Sequence, residues 1–113
     1  MSDCIFCKIA AGEIPSTKVY EDDTVLAFLD LDPQAPQHIL LIPKTHIQSA
    51  ADITAANSAV VAHIFEVAAK IAAEKGFSDG FRVVTNCGEQ AGQSVKHLHF
   101  HLLAGRDFTW PPG

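Results

Sequence analysis

The chain has 113 residues, of which 48% are hydrophobic and 19% are charged, a composition that excludes a disordered or fibrous protein. Residues 1–113 are most simply one domain, because this length suffices to bury a single core. The formal net charge of −5 argues against nucleic acid as the partner, since its phosphate backbone needs a basic face, although a pocket can still hold a small anion.

We expect neither a targeting segment nor a membrane-spanning segment in this sequence. Residues 1–4 lack the basic and apolar regions of a signal peptide, and no stretch approaches about 18 consecutive apolar residues. The three cysteines, an odd number, fit a reducing compartment better than a disulfide framework. We therefore expect a cytoplasmic protein with no membrane partner.

The N-terminal third predicts a short helix and a hairpin. Residues 4–12 place apolar side chains within about one helical turn of each other and end on a glycine, which indicates a short helix. The β-prone runs 18–21 and 24–29 are joined by two aspartates. They predict two antiparallel strands.

A proline-bearing loop precedes the third predicted strand. Residues 30–37 contain two prolines and two carboxylates, and because proline removes ladder donors they cannot form a central strand. The apolar run 38–42 that follows predicts a buried strand ending at Pro43.

The long helix is the clearest predicted element. Either Asp52 or Thr54 can cap its N-terminus, and Gly76 can provide a left-handed C-terminal cap. A helix of about 20 residues spans about 30 Å, enough to cross a sheet. Its apolar positions repeat every three or four residues, at Val60, Ile64, Val67 and Ile71.

Two further strands complete the predicted sheet. Residues 81–86 predict a fourth strand, and the loop 88–94 leads directly into the run 97–103. We therefore predict an α+β domain with an antiparallel sheet of about five strands, one long helix on one face and a short N-terminal helix.

The last predicted strand carries histidines at every second position. His97, His99 and His101 share one face, with neighbouring Cα atoms about 6.6–7 Å apart, and three apolar side chains share the other. A lone histidine is more often a hydrogen-bonded structural residue. Three histidines on one face of a strand leave two functional interpretations. They could form a three-histidine catalytic zinc site, or they could be imidazoles that contact and attack a phosphoryl group.

The loop 88–94 favours the phosphoryl interpretation, although by itself it could be a plain connector. Its glycines allow close approach of the backbone to a ligand, and the Ser94 hydroxyl can bond an oxyanion or a leaving group. A neutral imidazole, with a reference pKa of about 6.5, can attack phosphorus without a strong base. Neighbouring imidazoles can donate hydrogen bonds to the phosphoryl oxygens.

The run His97–Leu103 has the His-φ-His-φ-His-φ-φ form of the histidine triad (HIT) superfamily, and the chain resembles that family over nearly its full length. Its flanking motifs resemble the Hint-type nucleotide-binding branch. They are Ile5-Phe6-Cys7-Lys8-Ile9, Glu13-Ile14-Pro15, Pro33–His38, Ile42-Pro43-Lys44, Asn86, Gly92-Gln93-Ser94 and Trp110–Gly113.

The resemblance implies a HIT-like homodimer, with the sheet extended across the two subunits, that hydrolyses purine nucleotides. The substrate would be a nucleoside 5′-monophosphate derivative attacked at the α-phosphorus, of the adenosine 5′-phosphoramidate or AMP-lysine type. Alternatives are a dinucleoside polyphosphate or adenylyl sulfate hydrolase, and a nucleotide-binding interaction protein with incidental turnover. A zinc-histidine hydrolase is less favoured, because the Gly-Gln-Ser loop suits phosphate better than a metal-bound water.

The resemblance also implies roles for individual residues. His99 matches the nucleophile that forms a transient nucleotidyl-histidine, and His38 and His101 match imidazoles around the phosphate. Ser94 matches a hydroxyl near the leaving group, and Asp30 matches a ligand of the ribose hydroxyls. The other implied nucleotide-binding residues are Ile5, Phe6, Ile9, Phe28 and Leu31 around the base, with Asn86, Gly92, Gln93, Val95 and Trp110. Without the resemblance, Phe6 and Phe28 would count as core and Asp30 as a solvated loop residue.

Cys4 and Cys7 are spaced to share a metal ion, and tetrahedral zinc would need two more ligands. The resemblance supplies them, since family members use the histidine after Pro-Lys and the first triad histidine, here His46 and His97. The alternative is a pair of small buried thiols, because many relatives lack the cysteines. If zinc binds, His97 is a ligand rather than a catalytic residue, and no other cofactor is implied.

The C-terminal tail ends in Trp110 followed by two prolines and a glycine. A frayed end is the default for a terminus. The resemblance instead places this tail near the partner subunit's active site, where it would contact the leaving group. A dimer would also cover an exposed edge of the sheet.

Overall fold

The computed structural model describes residues 3–113, so Met1 and Ser2 of the predicted domain 1–113 lie outside the described residues. The helices are α1 (Ile5–Ala10) and α2 (Ser58–Lys75), and the strands are β1 (Lys18–Glu21), β2 (Val25–Leu29), β3 (Gln37–Pro43), β4 (Phe81–Val84) and β5 (Phe100–Ala104). Two 3₁₀ helices lie at Ala50–Asp52 and Glu89–Ala91. No helix within residues 3–113 combines the length and the apolar character needed to span a membrane.

The five strands form one antiparallel sheet in the order β1-β2-β3-β5-β4. This arrangement confirms the predicted β1–β2 hairpin and the predicted α+β fold. His101 on β5 pairs with Leu40 on β3, and His38 pairs with Leu103. Because paired residues and residues two apart share a face, His38 and His101 lie on the same face of the sheet.

Each face of the sheet is covered by one helix. On one face, α2 packs against a buried cluster that includes Leu98, Phe100 and Leu102. On the other face, α1 buries Phe6 and Ile9 against apolar side chains of β2 and β3. The short helix α1 therefore lies on the histidine face.

The predicted start of the long helix was wrong, because α2 begins at Ser58 rather than after Asp52 or Thr54. The Asp52 carboxylate accepts a hydrogen bond from the Ser49 hydroxyl at 2.8 Å. The Thr54 hydroxyl accepts one from the Ala56 N–H at 3.2 Å. Both side chains thus stabilise the turns before the helix, a common alternative to helix capping for these residue types.

The rest of the prediction for α2 is confirmed. Gly76 adopts a left-handed conformation with φ of 82°, and its N–H donates to the Ala72 carbonyl. Ile64, Val67 and Ile71 of the predicted stripe are buried, and Val60 packs at the edge of the same cluster.

Strand β1 has the predicted bounds, whereas β2 begins at Val25 rather than at residue 24 and β3 spans Gln37–Pro43 rather than 38–42. The larger differences lie in the last two strands. The strand predicted over 81–86 ends at Val84, and the strand predicted over 97–103 begins at Phe100 and continues to Ala104. The first two histidines of the triad therefore precede β5.

Residues 97–99 precede β5 and are hydrogen-bonded outside the β-ladder. The Leu98 N–H donates to the Ile47 carbonyl at 2.6 Å, and the Thr85 hydroxyl donates to the His99 carbonyl at 2.8 Å. The predicted alternation nevertheless persists, because Leu98 is buried on the α2 side while His99 contacts Phe6 on the α1 side.

Candidate active site

A cleft of about 270 Å³ opens on the histidine face, between α1, the end of β2 and the start of β5. It brings together ten of the predicted site residues: Ile5, Phe6, Ile9, Phe28, Asp30, Leu31, Ser94, Val95, His99 and His101. Five other residues line it that no sequence pattern indicated as cleft residues: Pro15, Ser16, Thr17, Leu29 and Leu40. Asn86, Gly92, Gln93, Trp110 and His38 are not among its lining residues.

The apolar wall of the cleft is built by α1 and β2. Phe6 is buried, and its ring makes edge-on contacts with the rings of Phe28 at 5.7 Å and His99 at 5.1 Å between centroids. Ile5 and Leu31 are exposed at the rim. The cleft therefore combines a buried aromatic floor with an apolar rim, a surface suited to a flat ring such as a nucleobase.

His99 has a defined tautomer. Its Nδ1 lies 2.7 Å from the His97 carbonyl oxygen, which can only accept, so Nδ1 carries the proton. In the neutral imidazole Nε2 is then unprotonated and holds a free lone pair. Thr85, a residue that sequence reasoning missed, secures the same backbone by donating to the His99 carbonyl. His99 thus presents a nucleophilic nitrogen in a fixed ring orientation.

His38 and His101 form a hydrogen-bonded relay beside His99. The Gln34 N–H donates to His38 Nδ1 at 3.0 Å, so the proton of neutral His38 is on Nε2. His38 Nε2 donates in turn to His101 Nδ1 at 2.9 Å. His101 Nε2 then carries the proton of that ring. His38 is buried behind His101, which is the member that lines the cleft.

The environment of His101 keeps its imidazole neutral. Burial, together with the neighbouring His99 and His38 rings, lowers the pKa of His101 to about 4. Asp30 Oδ2 lies 3.4 Å from His38 Nε2, the atom that links His38 to His101, and the charge of Asp30 partly opposes this lowering of the His101 pKa. At neutral pH the relay therefore offers one N–H donor to a ligand without adding a positive charge.

The loop before the triad is organised by Gln93. Its Oε1 accepts from the Gly88 N–H at 2.9 Å, and its Nε2 donates to the carbonyls of Gln48 and Val95 at 2.7 and 3.1 Å. The amide of Gln93 is thus engaged within the protein. Its effect is to shape the loop that brings Ser94 and Val95 to the cleft.

The C-terminal tail is held against β4 by Arg82, a residue that no sequence motif indicated. Its guanidinium donates to the Thr109 carbonyl at 2.9 Å and the Pro112 carbonyl at 3.2 Å, and it lies over the Phe108 ring at 4.8 Å. Trp110 is 85% exposed on this anchored tail. The tail of one chain therefore carries a large aromatic surface outside that chain's own cleft.

The four predicted metal ligands converge at the N-terminus of α1. His97 Nδ1 lies 3.3 Å from Cys4 Sγ, 3.5 Å from Cys7 Sγ and 3.2 Å from His46 Nδ1, and Cys7 Sγ lies 3.3 Å from His46 Nδ1. Tetrahedral zinc with bonds of about 2.0–2.3 Å would separate such ligand atoms by about 3.3–3.8 Å. The spacing and the donor set of two thiols and two imidazoles fit a structural zinc ion.

The protonation of His97 also suits metal binding. Its Nε2 donates to the Pro43 carbonyl at 2.8 Å, which leaves the Nδ1 lone pair directed at the other three ligands. Burial lowers the pKa of His97, against the opposing effect of the Pro43 carbonyl, and so favours the neutral ring that a metal requires. His97 therefore belongs to this cluster rather than to the cleft.

Comparison with known proteins agrees with this geometry. A family model described as the HIT domain matches residues 11–108. The chain is 48% identical over 114 residues to a 14 kDa zinc-binding protein from Zea mays, covering 99% of this chain and 89% of the relative.

Two solved structures are similar throughout the fold. A HIT family hydrolase from Legionella pneumophila Philadelphia 1 has a TM-score of 0.95 and 51% identity, covering 98% of this chain and 100% of that chain. A histidine triad nucleotide-binding protein from Candida albicans has a TM-score of 0.83 and 35% identity, covering 96% of this chain and 83% of the other.

Proposed function

The chain belongs to the HIT domain family, whose solved relatives include a hydrolase and a nucleotide-binding protein, and from this premise we propose that it is a purine nucleotide phosphoramidase. Its substrates would be adenosine 5′-phosphoramidates, in which AMP is joined to an amine such as lysine. The reaction would proceed through a covalent nucleotidyl-histidine intermediate on His99.

The observation that carries this proposal is the orientation of the His99 ring. Its Nδ1–H is committed to the His97 carbonyl at 2.7 Å, so the free lone pair is on Nε2. The ring lines a cleft between an apolar wall and the N–H donor of His101. An unprotonated ring nitrogen, an apolar surface and a hydrogen-bond donor thus occur within one cavity, and this combination supports the proposal.

The proposed chemistry divides into two displacements at phosphorus. His99 Nε2 attacks the α-phosphorus and the bond to the substrate nitrogen breaks, while the leaving amine takes a proton from solvent, with the Ser94 hydroxyl beside it. Water then attacks the nucleotidyl-histidine and loses a proton to solvent, which releases AMP and returns the electron pair to Nε2. His101, neutral at pH 7, would donate its N–H to the phosphoryl oxygens in both steps, and His38 would hold it in that tautomer.

The remaining residues are assigned by position and by the family pattern. Asp30, which lines the cleft, would bind the ribose hydroxyls, and the apolar wall would hold the base. Asn86, Gly92, Gln93 and Val95 would flank the ribose and phosphate. In the proposed homodimer, Trp110 of one subunit would contact the leaving group in the cleft of the other. The cytoplasmic location stays a prediction.

The direct test is turnover of a fluorogenic adenosine phosphoramidate. His99→Ala should reduce kcat/KM by at least about 10³-fold, because it removes the nucleophile, while AMP affinity remains measurable. His63→Ala is the matched control, since His63 lies on α2 outside the cleft, and its turnover should equal that of the wild type. Equal rates for His99→Ala and the wild type would eliminate the nucleophile assignment.

A rate comparison then separates the phosphoramidase from the related hydrolases. We expect AMP-lysine to have a higher kcat/KM than diadenosine polyphosphates or adenylyl sulfate. The reverse order would reassign the protein as a polyphosphate or sulfate hydrolase that uses the same histidine. AMP binding without turnover of any of these compounds would indicate an interaction protein.

A further inference from the structure

The four-ligand cluster and the nucleotide cleft share structural parts, and we propose that zinc binding and nucleotide binding strengthen each other through them. The cluster is Cys4, Cys7, His46 and His97, and the shared parts are helix α1 and the residues 97–99. This inference rests on the proposed function for the identity of the nucleotide. It adds that the metal cluster positions the binding cleft as well as stabilising the fold.

Helix α1 is the first shared part. Cys4 is its N-cap, with Sγ accepting a hydrogen bond from the Cys7 N–H at 3.4 Å, so both thiol ligands belong to its first turn. Between them lie Ile5 and Phe6, which line the cleft, and Ile9 follows on the next turn. The metal ligands and the cleft residues are therefore interleaved along a single helix.

A helix as short as α1 depends on tertiary contacts. It has 6 residues, far below the length at which an isolated helix is stable in water. Its anchors are the cysteine cluster at its N-terminus and the buried side chains of Phe6 and Ile9. If the cysteines lose a metal that holds them together, one of these two anchors weakens, and the base-binding wall weakens with it.

The backbone between His97 and His99 is the second shared part. His97 contributes its ring to the cluster, through Nδ1, and its carbonyl to the nucleophile, which donates to it at 2.7 Å. A metal ion that restrains the His97 ring also restrains the acceptor that sets the tautomer of His99. This is a positioning role for His97, because it acts on the reaction through another residue.

Phe6 joins the two parts by direct contact. Its ring lies 5.9 Å from the ring of His97 and 5.1 Å from the ring of His99, both edge-on, and it is also the buried floor of the cleft. A shift of α1 therefore moves a ring that touches a metal ligand, the nucleophile and the base-binding surface together. Close packing makes such movements mutual.

The coupling between the zinc site and the nucleotide cleft can be measured from binding constants alone, without substrate turnover. If zinc raises the affinity for AMP by some factor, AMP must raise the affinity for zinc by the same factor. We expect about tenfold, within the usual range for coupled sites. The zinc dissociation constant would be measured by competition with a chromogenic chelator, with and without saturating AMP. The AMP dissociation constant would be measured by calorimetry on zinc-loaded and chelator-treated protein.

Two phenylalanine variants test the route of the coupling. Phe6→Leu should weaken AMP binding directly, and in addition it should reduce the coupling factor toward about 1, because the shared ring is gone. Phe65→Leu is the matched control, since Phe65 lies on α2 and packs on Phe100 at the opposite face of the sheet. It should keep the wild-type factor. The factor is a ratio, so a general loss of affinity does not change it.

The outcomes are distinct from those of the proposed function. A coupling factor of about 1 in a wild-type protein that hydrolyses adenosine phosphoramidate overturns the coupling and leaves the enzyme assignment intact. A wild-type factor that persists in Phe6→Leu overturns the assigned route. A tenfold factor in a protein with no turnover supports the coupling and refutes the phosphoramidase. If chelation unfolds the chain, AMP raises the zinc affinity in proportion to its own concentration through folding alone, and that outcome overturns the direct route through Phe6.

Discussion

The histidine face of this protein carries two clusters with similar side chains and different chemistry. One comprises Cys4, Cys7, His46 and His97, and the other comprises Asp30, His38 and His101. In each cluster one potential ligand atom per residue lies within 4.8 Å of all the others. Proximity of ligand types therefore does not distinguish the two.

The difference lies in the backbone partner of the second ring nitrogen. His97 Nε2 faces the Pro43 carbonyl, an acceptor, so its proton lies away from the cluster and Nδ1 is free to bind a metal. His38 Nδ1 instead faces the Gln34 N–H, a donor, so its proton is on Nε2, within the cluster. The first cluster is a ligand set and the second is a hydrogen-bond relay.

The largest expected effect comes from breaking the ligand set. Cys4→Ser together with Cys7→Ser should reduce the metal content from about one zinc per chain to nearly none, because serine is a poor zinc ligand. At a free zinc concentration 1,000-fold above Kd, the lost binding corresponds to about 4 kcal/mol of unfolding free energy. Metal analysis and urea unfolding measure the two effects.

Cys87→Ser is the control for that variant, since Cys87 is exposed and outside the cluster. It should retain the wild-type zinc content and stability. If the double variant still bound one zinc per chain, the other cluster would have to be the metal site and the comparison would be reversed.

A smaller effect should follow from breaking the relay. His38→Ala removes the hydrogen-bond donor to His101 Nδ1. His101 can then adopt the other tautomer, in which its N–H no longer faces the proposed phosphate site. We expect kcat/KM for an adenosine phosphoramidate to fall about 10²-fold, with the zinc content unchanged. His38→Gln, whose amide can still donate to His101, should recover part of the loss. Equal activities in the two variants would attribute the loss to packing alone.

The parts of the fold that depend on local pattern could be predicted from the sequence. The hairpin, the C-terminal cap at Gly76 and the alternation of residues 97–103 each follow from short-range spacing. The start of α2 could not, because Asp52 and Thr54 are good caps in isolation and only the three-dimensional structure shows their hydroxyl and carboxylate groups engaged in earlier turns. The start of β5 depends on the distant Ile47 carbonyl in the same way.

The candidate site shows the same division. Side-chain types and the family resemblance predicted ten of the cleft-lining residues and the four residues of the metal cluster, but they did not indicate Pro15, Ser16, Thr17, Leu29 and Leu40. The proton positions were not predicted, because they are set by the Gln34 N–H and the carbonyls of Pro43 and His97, and backbone groups leave no sequence signature. Arg82 was missed for a related reason, since its partners are carbonyls of the tail.

The smallest expected effect is a dependence of the unfolding free energy on pH. It tests whether the imidazole of His101 stays neutral in the folded relay. The pKa of His101 is about 4 in the folded protein, whereas an unfolded histidine has a pKa of about 6.5. Between these values the unfolded chain binds a proton that the folded chain excludes. The contribution of His101 to stability is therefore complete above about pH 6.5 and is lost as the pH falls toward about 4. His101 is only partly buried, so solvent screening keeps this effect modest.

Urea unfolding across this pH range measures the effect. A chelator is present throughout, so that metal loss does not contribute. His101→Gln should give a flatter decline in unfolding free energy on acidification. His63→Ala is the opposing control, because hydrogen bonds to Glu66 and Asp22 raise the pKa of His63, and a raised pKa favours the folded state at low pH. Removing it should make the acid decline steeper. If the decline in His101→Gln were as steep as in the wild type, His101 would take up its proton in the folded protein as readily as in the unfolded chain. The relay would then present a cation to the proposed phosphate site.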